Sequence, residues 1–298
     1  MNVKFSKLTV SLIALITILS SSQCSQADNN AAVNTLRSEY LENPIAIDEP
    51  QPRFTWQLQS DKDNVVQNAY EVSVASSPEL LEQGDADIWQ SSKIVSNEQS
   101  SKLEPSDKLK SFQKYYWNVK VWTNQSKEPM VSETASFETA MMSKSDWTAQ
   151  WITDSNDQDF EPSPLFRKTF KTADNKDIDY ARMYISALGY YEAFINGKRV
   201  GENYLDPSYT AFDKRVYYVV HDVTNLLTTG ENAITSVLGN GWFNEQSVAV
   251  WDFHKADWRD RPKMICELHI HYSDGTTDKL ITDSSWKTNT GGFIYNNI

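Results

Sequence analysis

Three aspartates are the residues best suited to acid–base chemistry: Asp252, Asp257 and Asp260. They lie together in the aromatic-rich stretch 251–261. Two carboxyl groups can act as a general acid and a general base, as they do in many hydrolases. Acidic side chains in loops are more often solvated, or they stabilise turns. The sequence therefore favours a structural role for these aspartates over a catalytic one.

Two histidines and a cysteine are the candidates for metal binding. His269 and His271 fall on the same face of a predicted strand, where two imidazoles could share a metal ion. No third ligand is evident, and half-buried histidines in a strand are the commoner explanation. Cys266 alternates with polar residues in the same strand, which predicts a buried side chain. The only other cysteine is Cys24, so the sequence excludes a disulfide framework and a cysteine-based zinc site.

The aromatic residues offer a different kind of chemistry, the binding of sugars. The 298 residues include 10 Trp, 14 Tyr and 12 Phe. The C–H groups of a sugar ring pack against the electron-rich face of an aromatic ring, and polar groups then bind the hydroxyls. The net charge of −12 repels phosphate backbones, which argues against nucleic-acid binding. The Gly239-Asn-Gly-Trp242 motif lacks the lysine that a phosphate-binding loop requires.

Residues 1–23 are predicted to be a secretory signal peptide. Two lysines precede the apolar run Leu8–Leu19, which is short for a membrane span. The position of Cys24 shortly after this run predicts a lipid anchor, with ordinary cleavage nearby as the alternative. Residues 24–36 are small and polar, and they are predicted to be a spacer between the membrane and the fold.

The elements that must position the candidate side chains are predicted to be strands. Period-two alternation of aromatic and β-branched residues marks four of them in residues 37–143: 53–58, 70–75, 115–122 and 134–139. One short helix is predicted over Ser77–Glu82, with Ser77 as its N-cap and Pro78 at its first position. The pattern is typical of a fibronectin III-like or immunoglobulin-like β-sandwich.

Residues 144–298 resume the alternation after a short break. The predicted strands of this half are 164–170, 181–186, 191–195, 215–220, 264–272 and 279–282. Asn196-Gly197 is a strong hairpin signal, and Ser273–Thr276 predicts a second turn. The chain is therefore predicted to be all-β, with two consecutive β-sandwiches.

The second half also carries a family resemblance. Three segments hold its motifs: Ala187–Gly201, Leu205–Arg215 and Gly239–Trp242. They resemble the N-terminal, jelly-roll-like β-sandwich of bacterial α-L-rhamnosidases, glycoside hydrolase family 78. In the first half, Arg53–Trp56 and Tyr116–Trp122 are similar to the fibronectin-type module that precedes that sandwich.

The resemblance runs in order through about residues 36–290, and it implies where the family's chemistry lies. In that family an α/α barrel, C-terminal to these modules, hydrolyses terminal α-L-rhamnosyl groups with inversion, using a general acid and a general base. A barrel needs several hundred further residues, and the family's closing strand is not recognisable before Ile298. We therefore expect a truncated sheet edge, no catalytic residue, and no hydrolysis by these residues alone.

Some members of the family use this second sandwich as a carbohydrate-binding module that holds rhamnose through calcium. The resemblance places the calcium ligands at Glu202 and Asn203, where the acid is one methylene longer than the usual aspartate. Trp242, Asn244 and Trp251 are the expected neighbours from the next long loop. The alternative, which the residue types favour, is that Glu202 and Asn203 merely end a hairpin and that Trp242 belongs to the core.

Three functions remain open from the sequence. The first is the accessory, substrate-recognition part of an exported α-L-rhamnosidase, whose partners would be a rhamnose-containing glycan and the catalytic barrel. The second is a stand-alone rhamnose-binding lipoprotein of the periplasm or cell surface, held at the membrane only through Cys24. The third is a non-functional gene fragment, in which an open sheet edge would favour aggregation.

Overall fold

The computed structural model describes residues 31–105, 107–248, 251–293 and 295–296. The predicted signal peptide and Cys24 lie outside these residues. Within them, nearly all regular structure is β, as the sequence predicts, and a single α-helix is present. None of the helices in the described part of the chain has the length and hydrophobicity needed to cross a bilayer.

The first β-sandwich is built from two antiparallel sheets. Its strands are β1 Ala31–Ser38, β2 Arg53–Ser60, β3 Gln67–Ala75, β4 Trp89–Gln90, β5 Ser100–Lys102, β6 Lys114–Thr123, β7 Ser126–Val131 and β8 Ala135–Glu138. One sheet has the order β1-β2-β5, and the other has the order β4-β3-β6-β7, with β8 also paired to β6. Strands β2, β3, β6 and β8 are the four that the alternation predicts.

The predicted helix is present as α1, Pro78–Gln83. The Ser77 hydroxyl accepts a hydrogen bond from the Leu80 amide at 3.4 Å, as an N-cap does. Gly84 ends the helix in the left-handed region, at φ 77°. The N-cap and first-position predictions are both confirmed.

The predicted spacer is partly wrong, because residues 31–36 belong to strand β1. Val33 pairs with Leu58 of β2 and is 8% exposed, so it contributes to the core. Small and polar residues surround this valine, and the segment therefore has the composition of a spacer. Its strand conformation comes from pairing with the edge of an existing sheet rather than from local propensity.

The second β-sandwich is also built from two antiparallel sheets. Its strands are β9 Leu165–Lys171, β10 Ile178–Leu188, β11 Tyr190–Ile195, β12 Lys198–Arg199, β13 Val219–Asp222, β14 Glu231–Gly239, β15 Lys263–Tyr272, β16 Thr277–Ile281 and β17 Lys287–Asn289. The sheet orders are β13-β10-β15-β16 and β12-β11-β14-β9-β17. The short 3-10 helices of the chain are Lys144–Asp146, Thr224–Leu226, Gly241–Asn244 and Phe253–Lys255.

Three details of this sandwich differ from the sequence prediction. Strand β14 was not predicted, because its buried positions alternate between polar and apolar residues: Asn232 and Ser236 point inward beside Ile234 and Leu238. The predicted strand 215–220 is ordered as a strand only from Val219 onward. At the C-terminal edge, β17 pairs with β9, so described residues of the chain occupy part of the edge that was expected to be open.

The two sandwiches meet through a buried ion pair. The Arg182 guanidinium of β10 donates to both carboxylate oxygens of Glu138 in β8, each at 2.7 Å. Both side chains are less than 10% exposed, and Asp222 lies 3.0 Å from the same guanidinium. Phe112 of the first sandwich packs its ring against Tyr184 of the second at 5.1 Å. The face of β10 that points away from its own core thus forms the interface.

Glu267, fully buried in β15, fixes the connection between the sandwiches. Its carboxylate accepts hydrogen bonds from the Thr148 and Ala149 amides at 2.5 and 2.9 Å, and it contacts Lys279 at 2.8 Å. Burial acts to raise the pKa of Glu267, but the bonds from His269, Lys279 and the two amides outweigh it and hold the pKa far below its usual range. The charged carboxylate therefore holds the connecting segment against the second sandwich.

Candidate functional site

Two loops of the second sandwich, one between β12 and β13 and one between β14 and β15, bring aromatic side chains together around an open cavity of about 640 Å³. Its lining residues are Tyr209, Trp242, Trp251 and Phe253. We call this site the aromatic cavity. Trp251 is 66% exposed and Tyr209 is 47% exposed, so both rings present a face to solvent. Large exposed aromatic surface in one place is characteristic of a binding site.

The rings of the aromatic cavity hold one another in place. Trp242 lies 5.8 Å from both Trp251 and Phe253, in edge-to-face arrangements. Tyr209 stacks on Phe253 at 5.9 Å with only 24° between the ring planes. These separations fall within the favourable range for aromatic pairs. The side chains that line the cavity therefore pack on one another as well as facing the cavity.

Gly241 explains how Trp242 comes to face the cavity. The glycine follows the end of β14 with φ +51°, and a Cβ atom there would lie 2.8 Å from the Tyr190 ring. Only glycine fits so close to the ring, and it starts the 3-10 helix Gly241–Asn244. In that helix Phe243 points inward and contacts Phe212 at 5.4 Å, while Trp242 points outward.

A fully buried arginine anchors the loop that carries Trp251 and Phe253. Arg261 is 2% exposed and makes a bidentate pair with Asp154, at 2.9 and 2.8 Å. Its remaining N–H groups donate to the carbonyls of Phe160 and Pro162. Burial acts to raise the pKa of Asp154, but the hydrogen bonds from Arg261 lower it below its usual range. The pair remains ionised and fixes the end of the loop.

The structure brings together two of the five predicted site residues, Trp242 and Trp251. Asn244 is fully buried behind them, and its Nδ2 donates to the Gln158 carbonyl at 2.8 Å. Glu202 and Asn203 are exposed and do not line the aromatic cavity. The predicted binding role of all five residues remains a prediction.

Calcium fits poorly at Glu202 and Asn203. The Arg199 guanidinium donates to the backbone carbonyls of Gly201, at 3.0 Å, and of Asn203. A cationic side chain therefore lies against the backbone carbonyls beside these two residues, and its positive charge disfavours a calcium ion there. Among the described residues, no three His, Cys, Asp or Glu side chains are placed to hold a metal ion.

Gly201 supports the interpretation of this segment as a hairpin end. Its φ is +70°, and a Cβ atom would lie 2.5 Å from the His221 ring. His221 is buried and contacts the Tyr191 hydroxyl at 2.8 Å, and burial lowers the pKa of its imidazole. The turn after the hairpin thus packs directly on a buried, neutral histidine.

The other candidate residues have structural surroundings. Asp252 adopts a left-handed backbone conformation and pairs with Lys255 at 3.1 Å, while Asp260 pairs with Lys263 at 2.5 Å. Asp257 is exposed. These contacts match the turn and solvent roles that the sequence favours for the three aspartates.

The candidate metal ligands of β15 also have structural partners. His269 contacts the carboxylate of Glu267 at 2.9 Å, and His271 stacks on Tyr180 at 4.2 Å. Cys266 is 2% exposed, which confirms the predicted burial, and burial raises the pKa of its thiol.

Two residues that line the aromatic cavity, Tyr209 and Phe253, were not among the predicted site residues. Tyr209 lies in the segment 205–215, which carries motifs of the family resemblance but has no strand pattern. The signal that could have found it is the spacing of Tyr209 and Phe212, two aromatic residues three positions apart in a loop after a proline. Their rings contact each other at 5.6 Å.

Comparison with known proteins identifies both sandwiches. The model of the α-L-rhamnosidase N-terminal domain matches residues 176–298, and that of the Rha78A-like N-terminal immunoglobulin domain matches residues 33–143. The first module is therefore immunoglobulin-like, one of the two sandwich types that its strand pattern predicts, and not the fibronectin-type module that the family resemblance implies.

Individual relatives, both sequences and solved structures, are also α-L-rhamnosidases. An α-L-rhamnosidase of Formosa agariphila is 35% identical over 282 residues, a match covering 86% of this chain and 29% of that protein. The structure of α-L-rhamnosidase from Dictyoglumus thermophilum superposes with a TM-score of 0.79 at 34% identity, covering 89% of this chain and 30% of that one. The structure of a Streptomyces avermitilis α-L-rhamnosidase complexed with L-rhamnose shares the fold. Its TM-score is 0.80 at 19% identity, and the match covers 90% of this chain and 42% of that one.

The chain spans about 30% of the length of the Formosa agariphila and Dictyoglumus thermophilum enzymes, and the residues that the structure describes contain no catalytic barrel. Both of its sandwiches match modules of the same enzymes, in the same order along the chain. The chain therefore carries the two N-terminal domains of the α-L-rhamnosidases, glycoside hydrolase family 78, and corresponds to an N-terminal part of those enzymes.

Proposed function

We propose that this chain is the substrate-recognition part of an exported α-L-rhamnosidase, and that the aromatic cavity binds a sugar ring of the rhamnoside. The observation that carries the proposal is the set of mutually packed rings of Tyr209, Trp242, Trp251 and Phe253, of which Tyr209 and Trp251 are exposed. Cleavage of the rhamnosidic bond would be the work of the catalytic part that the longer relatives contain. A signal peptide and a lipid tether at Cys24 would deliver the enzyme outside the cytoplasm.

The chemistry of the aromatic cavity suits a deoxy sugar. Its lining is predominantly aromatic, so it offers π faces to the C–H groups of a pyranose and apolar surface to a methyl group. L-Rhamnose has both, and a relative with the same fold was solved with this sugar. No calcium ion is needed in this proposal, because the stacking surface lies apart from Glu202 and Asn203.

Titration of the chain with L-rhamnose, followed by tryptophan fluorescence, tests the proposal. We expect saturable quenching with a Kd of about 1 mM, and at least tenfold weaker binding by Trp251→Ala. Trp151→Ala is the matched control, because Trp151 is also exposed, at 42%, but does not line the cavity. Absence of saturable binding, or an equal loss in the control, would contradict the proposed role of the cavity.

A second assay separates recognition from catalysis. We expect the chain alone to release no p-nitrophenol from p-nitrophenyl α-L-rhamnoside. Turnover that persists after further purification, and that a substitution in this chain abolishes, would contradict the proposal that cleavage requires a separate catalytic part.

A further inference from the structure

A second, polar cavity lies on the first sandwich, on the outer face of the sheet that contains β3 and β6. Its volume is about 440 Å³, and the C-terminal end of α1 forms one wall. The residues that decide its chemistry are Ser73, Leu81, Gln90, Asn118, Lys120 and Val131. We call this site the sheet pocket. It lies on a different sandwich from the aromatic cavity and shares no residue with it.

The floor of the sheet pocket holds two buried polar side chains with unused hydrogen-bonding capacity. Ser73 of β3 and Asn118 of β6 are direct cross-strand partners, and they are 7% and 9% exposed. The side chain of neither residue makes a hydrogen bond to another described residue, and the Asn118 Oδ1 is shielded from solvent without a partner. Buried polar groups are normally paired, because an unpaired one loses its hydration without compensation. The shielded, unpaired Asn118 Oδ1, which lies beside the Ser73 hydroxyl, therefore points to a missing ligand.

The neighbouring polar row is already fixed in position. Glu71 accepts hydrogen bonds from Lys120, at 3.0 Å, and from Gln90, at 2.9 Å, on the same carboxylate oxygen. This arrangement neutralises Lys120 and leaves the amide oxygen of Gln90 free to accept a hydrogen bond. The one other charge in the lining is the exposed Glu82 at the rim. The pocket therefore lacks the excess positive charge that an anionic ligand would need.

From these contacts we infer that the sheet pocket is a binding site for a neutral monosaccharide. The Ser73 hydroxyl and the Asn118 amide would bind neighbouring hydroxyl groups of the sugar, because together they offer both donors and acceptors. Leu81 and Val131 supply apolar contact for the C–H groups at the sides of the ring. The first sandwich would thus hold the protein on its glycan at a point separate from the aromatic cavity.

The test is a ¹⁵N-NMR titration of the whole chain with L-rhamnose and with D-glucose, up to about 50 mM, a range suited to millimolar dissociation constants. We expect saturable shifts of the Asn118 side-chain amide with at least one of the two sugars. Asn118→Leu should weaken this binding at least tenfold. It should keep a Tm no lower than that of the unmodified chain, because it removes a shielded, unpaired amide. The matched control is Asn225→Leu, at an exposed asparagine of the second sandwich.

Two further variants keep the outcome decisive. Ser73→Ala should weaken binding about threefold, and it tests the pocket even if Asn118→Leu does not fold. Trp251→Ala should leave the Asn118 shifts unchanged, so failure of the aromatic cavity and failure of the sheet pocket are distinguishable. Absence of saturable shifts at Asn118 with both sugars, or undiminished binding by Asn118→Leu, would overturn the inference.

Discussion

The two sandwiches use their aromatic residues in opposite ways. In the first, Phe54, Trp56, Trp117 and Phe137 are at most 2% exposed and form the centre of the core, with Phe54 and Trp117 rings 4.7 Å apart. In the second, the core is mainly aliphatic, built from residues such as Ile185. The rings of the aromatic cavity lie outside that core, on loops.

The difference teaches that an aromatic residue carries no functional meaning until its environment is known. A ring on the inner face of a strand is held by the opposite sheet and contributes mainly to stability. A ring on a loop must be held by other rings, as Trp242 is held by Trp251 and Phe253. Only the second arrangement leaves an aromatic face open to a ligand.

The largest expected effect tests this contrast directly. Trp117→Ala should lower the free energy of unfolding by about 5 kcal/mol, because it empties a fully buried site in the first core. Trp251→Ala should lower it by less than about 1 kcal/mol, because that ring is mostly exposed. Urea denaturation followed by circular dichroism measures both. Similar losses in the two variants would break the comparison.

The ion pair between the sandwiches tests whether they are coupled. Glu138→Ala should cost about 3 kcal/mol, because it leaves the buried Arg182 guanidinium with only the half-exposed Asp222 as a partner. The double variant Glu138→Leu with Arg182→Met should recover most of that loss, since no buried charge remains unpaired. The same denaturation experiment measures both. If the double variant were as unstable as the single one, packing rather than charge would govern the interface.

A third test uses pH at the stacked ring of His271, which lies outside both cores. Burial lowers the pKa of His271 to about 4, and His269 and Arg182 add to the effect. Between about pH 6.5 and pH 4 the unfolded chain takes up a proton that the folded chain refuses, so stability falls as pH falls. Because solvent screens this half-buried ring, we expect His271 to account for about 1 kcal/mol of that fall.

Thermal unfolding between pH 7 and pH 4.5 measures the effect. His271→Gln should reduce the loss of Tm on acidification, because glutamine does not titrate in this range. An identical pH dependence in the variant and the unmodified chain would assign the whole effect to other groups.

The smallest expected effect concerns calcium. Because the Arg199 guanidinium occupies the backbone carbonyls beside Glu202 and Asn203, neither calcium nor EDTA should shift the Tm by more than about 1 °C. Rhamnose binding should be equally insensitive. A rise in Tm with calcium, if Glu202→Gln abolished it, would support a calcium site at Glu202 and Asn203. Sugar binding would then be assigned to that site rather than to the aromatic cavity.

Much of the fold could be predicted from the sequence, because strands with one buried face alternate visibly. In β6, Tyr115, Trp117, Val119 and Val121 point inward between more exposed residues, and the pattern is unmistakable. Strands β1 and β14 were not predicted, because pairing with neighbouring strands, rather than the pattern of their own side chains, makes them strands. The site was predicted in part: Trp242 and Trp251 meet, but Tyr209 comes from a loop about 30 residues earlier, and no local pattern links it to them.

The sequence by itself determined the all-β class, the two-module order, the capped helix at Ser77 and the family, because each follows from local patterns or from motifs read in order. Tertiary structure alone decided which aromatic residues are core and which are surface. It also paired Glu138 with Arg182 and left the shielded Asn118 Oδ1 without a partner in the sheet pocket. Such features depend on contacts between residues distant in the chain, and their free energies arise only when the fold removes those groups from water.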